Sequence, residues 1–203
     1  MKGNVMAEKQ SKHDLILQSA RQVFMEKGYH AATSEEIAKV AGIGKGTIYQ
    51  YFASKKDIYD EVRIISMQEY CDGIMQAISL EKNIAENIRD LVHAHVGKMD
   101  LLIYIVNSDL HTSSECILAS GKMPEIYKAM LDSLTALIVH AKEKRELCDV
   151  QPQSAINYIM SIFMGMAHQA MIYKHSPQLA EGFMLEKWEE EITGLLLHGL
   201  SIK

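Results

Sequence analysis

The sequence predicts an all-α protein, in which a three-helix amino-terminal domain of helix-turn-helix type is followed by a larger helical domain. Two observations lead there. Residues 33–55 read as a capped short helix, a glycine turn and a second short helix. Elsewhere apolar residues recur at helical spacing, and only 3 Pro occur in 203 residues, so little interrupts a helix.

Residues 1–10 are polar, lack the apolar core of a signal peptide, and are expected to form a flexible arm. The first helix is placed over about Ser11 to Lys27, with Leu15, Ile16, Ala20, Val23 and Phe24 as its inner stripe and Gly28 as its stop. Thr33 and Glu36 then fit the Thr-x-x-Glu capping box, which opens a second helix with Ile37, Val40 and Ala41 on one face. Gly42 suits the turn, because a left-handed backbone costs glycine little. The next helix starts near Gly44. Its Ile48 and Phe52, spaced i, i+4, face the core. Ser54-Lys55-Lys56-Asp57 is a second cap signature and opens a fourth helix that continues past Met67, with an Ile58, Val62 and Ile65 stripe. Further helices are expected near 84–106 (broken at Gly97), 122–147, 153–174 and 180–200, and Asn107 to Gly121 reads as a loop or broken helix.

With Ile48 and Phe52 inward, Lys45, Gly46, Thr47, Tyr49, Gln50 and Tyr51 are left outward or on the flanks. That set suits nucleic acid. Lys45 leads the helix towards phosphates and base edges, and Gly46 lets the backbone approach closely. Thr47 and Tyr51 donate to phosphate, Tyr49 offers a ring for a thymine methyl, and Gln50 suits an adenine edge. Lys55, at a positive helix terminus, suits a backbone phosphate.

These residues carry a resemblance. Residues 12–63 resemble the DNA-binding domain of the TetR family of bacterial transcriptional regulators. The matching stretches are Ile16-Leu17-Gln18-Ser19-Ala20, Phe24-Met25-Glu26-Lys27-Gly28-Tyr29, Thr33, Ile37-Ala38, Ala41-Gly42-Ile43, Lys45-Gly46-Thr47-Ile48-Tyr49, Tyr51-Phe52 and Ser54-Lys55. The resemblance implies DNA-contact positions at Thr33, Ser34, Lys45, Thr47, Tyr49, Tyr51 and Lys55. Gly44 stands where a Ser is usual, which removes a capping hydroxyl, and Tyr51 replaces a frequent His.

Net charge is −5, but it is unevenly spread: residues 1–63 carry +2 and the remainder −7. A basic head on an acidic body fits a nucleic-acid reader in which the placement of individual lysines matters more than bulk attraction. Cys71, Cys116 and Cys148 show no metal or redox spacing, and a reducing cytoplasm is the expected setting. Val150 to Tyr173 holds no Asp, Glu, Lys or Arg, yet its Gln, Asn, Ser and His residues argue for a buried helix over a membrane span.

The last two helices read as an assembly surface. Asn157, Ser161 and Gly165 recur every four residues in the first. Leu185, Trp188, Ile192, Leu195, Leu196 and Gly199 follow helical spacing in the second. A packed intrachain core is the alternative for these stripes, and the resemblance favours a homodimer built by the two helices. Between head and assembly surface, a Met- and His-rich region suggests a pocket for a small-molecule effector, with Met99, Tyr104, His111, Tyr127, Met130, Met160, Phe163, Met164 and His168 as candidate lining. Met at helical spacing is equally the signature of ordinary core. His93, His95, His111 and Cys116 are a poor metal set, because the i, i+2 ligands of His-x-His diverge on a helix, and neither metal nor cofactor is expected.

The resulting division is an arm at 1–10, a helix-turn-helix DNA-binding domain at 11–54 and a ligand-sensing, dimerising helical domain at 55–203. The function read from it is a ligand-responsive transcriptional regulator. As a dimer it binds an inverted-repeat operator in double-stranded DNA, with repression the usual family outcome. A DNA-binding organiser, or a regulator answering to a protein partner, is the alternative. No nucleophile elbow, phosphate loop or zinc-protease motif points to an enzyme.

Overall fold

The computed structural model describes residues 2–106, 122–181 and 184–200, and all regular structure among them is helical. The elements are α1 (Lys2–Ala31), α2 (Ser34–Val40), α3 (Lys45–Ile48), α4 (Lys55–Gln76), α5 (Ile84–Gly97), α6 (Met99–Val106), α7 (Lys122–Glu143), α8 (Pro152–His175), a 3-10 turn at Pro177–Ala180 and α9 (Leu185–Leu200). They fall into two compact units, one reaching from the amino terminus to Ser66 and one holding Met67–Val106 with the chain after Gly121. The first unit therefore extends beyond residue 54, because the opening turns of α4 supply Ile58, Tyr59 and Val62 to its core.

In the first unit α1 packs on α2 and α2 on α3. Ile16, Ala20, Val23, Phe24, Ile37, Ala38, Ile48 and Phe52 are buried together with the α4 residues just named. Residues 2–10, expected as an arm, are helical and form the start of α1. Gly28 does break the helix: its φ of 76° lies in the left-handed region, and only a short turn follows it to Ala31.

Three stripe residues were misplaced, all for one geometric reason. Leu15, Val40 and Ile65 are exposed, whereas Leu17, Ser34 and Ser66 are buried. A helix turns about 100° per residue, so Leu15 lies that far behind Ile16, while the buried arc runs forward through Leu17. Val40 and Ile65 sit on the same trailing edge of their arcs. Apolar character alone does not say on which side the neighbouring helix arrives.

The second unit packs α5 on α9, α6 on α8 and α7 on α8. Its core includes Tyr70, Ile74, Ile88, Leu91, Met130, Leu134, Ile159, Phe163 and Leu196. Asn83 and Glu86 form a second capping box, at the start of α5. Asn87 is fully buried, and its side chain is satisfied by backbone: Oδ1 accepts from Ser79 N at 2.8 Å, and Nδ2 donates to the Ser79 and Asn83 carbonyls at 2.8 and 3.0 Å. The α5–α6 break falls at Gly97, as expected. No helix among the described residues is long and apolar enough to cross a membrane.

Candidate nucleic-acid interface

The interface is built on the two ends of α2. At the start, Thr33 Oγ1 accepts from Glu36 N at 3.2 Å while Glu36 Oε2 accepts from Thr33 N at 3.0 Å, so the reciprocal box satisfies two orphan amides. At the other end Gly42 adopts φ 66°. Gly42 N donates to the Lys39 carbonyl at 3.3 Å and Ile43 N to the Ala38 carbonyl at 3.0 Å, a Schellman closure that needs a left-handed residue. The chain is thereby turned into α3 with a fixed angle.

α3 is one turn long, but hydrogen bonds from Gln50 N to Thr47 O, Tyr51 N to Ile48 O and Phe52 N to Ile48 O carry the coil on to Phe52. Gly44 caps α3 without a side-chain bond, as its missing hydroxyl implies. Buried Ile48 and Phe52 anchor it. Lys45, Gly46, Tyr49 and Gln50 are exposed, and Thr47 and Tyr51 are half-buried. A Cβ added at Gly46 would meet nothing within 4 Å, so the backbone there is open to an approaching molecule.

Several predicted contact residues are engaged within the unit. Lys45 Nζ is ion-paired with Glu35 of α2, and Lys27 Nζ with Glu36. The pairing holds the Glu35 and Glu36 carboxyls below their ordinary range and raises both ammonium groups. Tyr49 Oη donates to Ser34 Oγ at 3.3 Å, and Ser34 is buried against the core. Lys55, expected at a phosphate, donates to the carbonyls of Tyr29 at 2.6 Å and Ala32 at 2.8 Å, with its ammonium 4.3 Å from the Tyr29 ring centre. Two of its three donors thus close the carboxyl end of α1. His13, not anticipated, stacks on Phe52 at 4.9 Å and reaches Glu61 through Nε2 at 3.3 Å. Cross-helix pairs of this kind leave no local signature in the sequence.

In the second unit the candidate pocket residues separate. Met99, Tyr104, Met130 and Phe163 are buried, Met160 is half-buried, and Tyr127, Met164 and His168 are exposed. Met164 and His168 therefore lie on the exposed side of α8, while Phe163 belongs to its buried side. His111 and Cys116 lie outside the described residues. The polar centre of this core is His95, fully buried, stacked on Phe163 at 4.3 Å and linked through Nδ1 to Tyr70 Oη at 3.0 Å. Burial pushes the His95 pKa down to about 4, with the Phe163 backbone opposing in part, and raises that of Tyr70. No group of three or more potential metal ligands occurs among the described residues. A surface groove of about 650 Å³ between α5 and α9 is lined by Arg89, Lys187, Glu189, Glu190, Thr193, Gly194 and Leu197, which have no Met-rich signature.

The predicted assembly residues also divide. Asn157, Ser161 and Gly165 form an exposed row on α8, and Leu195 and Gly199 are exposed on α9. Trp188 and Ile192 are half-buried against the core. Leu196 is wholly buried and belongs to the core, because it stands about 100° round the helix from Leu195. Leu185 lies outside the residues whose side chains are described. Tyr158 joins the two exposed faces, its Oη donating to the Leu195 carbonyl at 3.3 Å.

A capped helix, a left-handed glycine turn and a short exposed helix on a three-helix support define a helix-turn-helix protein. Residues 16–62 match the family model described as bacterial regulatory proteins, tetR family, so the amino-terminal domain is similar to that family over this stretch. Among curated relatives, the HTH-type transcriptional activator FasR of Mycolicibacterium smegmatis is 32% identical over 93 residues, covering 46% of this chain and 42% of the relative. The fatty acid metabolism regulator protein of Bacillus subtilis is 27% identical over 146 residues, covering 70% and 74%. The chain thus spans less than half the length of the first of these relatives. Among solved structures, the fatty acid degradation regulator FadR of Bacillus halodurans superposes with a TM-score of 0.72 at 26% identity, covering 93% of this chain and 95% of that one.

Proposed function

We propose that this protein is a ligand-responsive DNA-binding transcriptional regulator that acts as a homodimer on an inverted-repeat operator. The observation that carries the reading is the exposed face of α3 and its extension, with Lys45, Gly46, Tyr49 and Gln50 outward on a support rigid at both ends. Gly46 admits the duplex backbone, and Gln50 and Tyr49 address base edges, with Lys45 at the leading end of the helix. The exposed small-residue row on α8 and its neighbour Leu195 suit a two-fold contact with a second copy. Such a dimer presents two reading helices at half-sites roughly 34–36 Å apart.

The effector class proposed is a fatty-acid derivative. Two relatives are named for the control of fatty acid metabolism or degradation. The core of the second unit is aliphatic and Met-rich, with the Tyr70–His95 pair as a polar centre, which suits a long apolar chain bearing one polar group. Effector binding would work by population shift, favouring a state whose two heads are mis-spaced for the operator. The relatives include an activator, so the sign of regulation is left to experiment.

The test is selection of bound fragments from random duplex DNA with the purified protein, followed by titration of palmitate and palmitoyl-CoA into the complex. The expected result is an inverted repeat that is released by one of the two compounds. Enrichment of no sequence refutes the operator reading. An operator complex indifferent to both compounds but disrupted by a protein partner favours the protein-responsive alternative.

A further inference from the structure

The α2 helix, by itself not a reading element, holds the polar groups of α3 that are meant for DNA. Glu35 is ion-paired with Lys45, and Ser34 accepts from Tyr49 at 3.3 Å. Lys45 and Glu35 are both about half exposed, at 48% and 59%, so the pair stands on the surface that a duplex would cover. Lys55 is tied to α1 carbonyls and Lys27 to Glu36. These contacts leave the +2 net charge of residues 1–63 unchanged but commit the three ammonium groups to partners within the unit.

We infer that Glu35 is a specificity-determining residue: its carboxylate occupies Lys45 and penalises binding that rests on phosphate contact alone. For Lys45 to reach a phosphate, the Glu35 carboxylate must be displaced and left beside a polyanion. Non-specific affinity comes from such phosphate contacts, whereas base contacts by Gln50 and Tyr49 do not use the Lys45 ammonium. The carboxylate thus reduces backbone-only binding more than operator binding and widens the ratio between them. Glu36 does not serve this purpose in the same way, because it also completes the capping box.

The inference rests on the proposed DNA-binding function, and the experiment separates the two. Full-length wild type, Glu35→Gln, Lys45→Ala and the double variant are titrated by fluorescence anisotropy over a range of salt concentrations. The probes are a labelled random-sequence duplex and the duplex enriched by the wild type from random DNA. Glu35→Gln is expected to bind the random duplex several-fold more tightly, with a log K against log salt slope steeper by about 0.9, one added phosphate contact. Its gain on the selected duplex is expected to be smaller, and both gains vanish in the Lys45→Ala background. An equal gain on both duplexes, a gain that survives Lys45→Ala, or no gain overturns the inference while leaving DNA binding intact. Wild-type protein that binds neither duplex at low salt overturns both.

Discussion

The adjacent leucines Leu195 and Leu196 offer a sharp test of the assembly face. Leu195 is 59% exposed on α9, and Leu196 is 0% exposed. Replacing a fully buried Leu by Ala removes about 2.4 kcal/mol of apolar transfer, at about 0.8 kcal/mol per carbon lost. If dimerisation covers the 59% of Leu195 that is now open, Leu195→Ala costs about 1.4 kcal/mol per subunit. Two-fold symmetry doubles this to about 3 kcal/mol per dimer, roughly a 100-fold weaker dissociation constant. Leu196→Ala instead opens a cavity within one subunit and costs about 2–5 kcal/mol of its folding stability. Sedimentation equilibrium measures the first quantity, and urea unfolding across a range of protein concentrations measures the second and shows the concentration dependence a dimer imposes. Leu195→Ala with an unchanged dissociation constant, or a wild type that sediments as a monomer at all concentrations, would refute the assignment of this face.

Thr33→Ala should lower stability by about 1 kcal/mol through loss of the cap, and Thr33→Ser should restore it, as read by urea unfolding. Lys55→Ala should cost about 1–3 kcal/mol in the same assay while leaving the salt slope of DNA binding unchanged, because its ammonium serves the Tyr29 and Ala32 carbonyls. Arg145 holds φ 58° where α7 ends, so Arg145→Gly should stabilise by about 1 kcal/mol, seen as a raised melting temperature. His95, with its folded pKa lowered to about 4 by burial, remains neutral while the unfolded chain takes up a proton near pH 6.5. Its contribution is therefore complete above pH 6.5 and lost as pH falls towards 4, of order 3 kcal/mol in all, and a His95→Gln variant should lack that segment of the stability profile.

Much of the head was legible because its signals are local. A capping box spans four residues, a left-handed turn favours a glycine, and an i, i+4 apolar pair orients a single helical turn. Thr33, Glu36, Gly42, Ile48 and Phe52 each act within a few residues of their neighbours, and the structure uses each as read. The body was legible as helices, including the break at Gly97, and less so as a site. Met and His have no local pattern that separates pocket from core, so Phe163 and Met164, side by side in sequence, fall into one candidate set although one is buried and the other, about 100° round the helix, is exposed.

By itself the sequence determined the class of fold, the order of the helices and the residues that turn outward on α3, since those depend on backbone preferences and periodicity over short stretches. Tertiary structure alone decided what each polar group holds: Glu35 on Lys45, Ser34 under Tyr49, the α1 carbonyls on Lys55 and, in the buried core, Phe163 against His95. Those partners are between 10 and 68 positions apart in the chain. Only the packing angle between helices brings them together, and that angle is set by the whole core and not by any local run of residues.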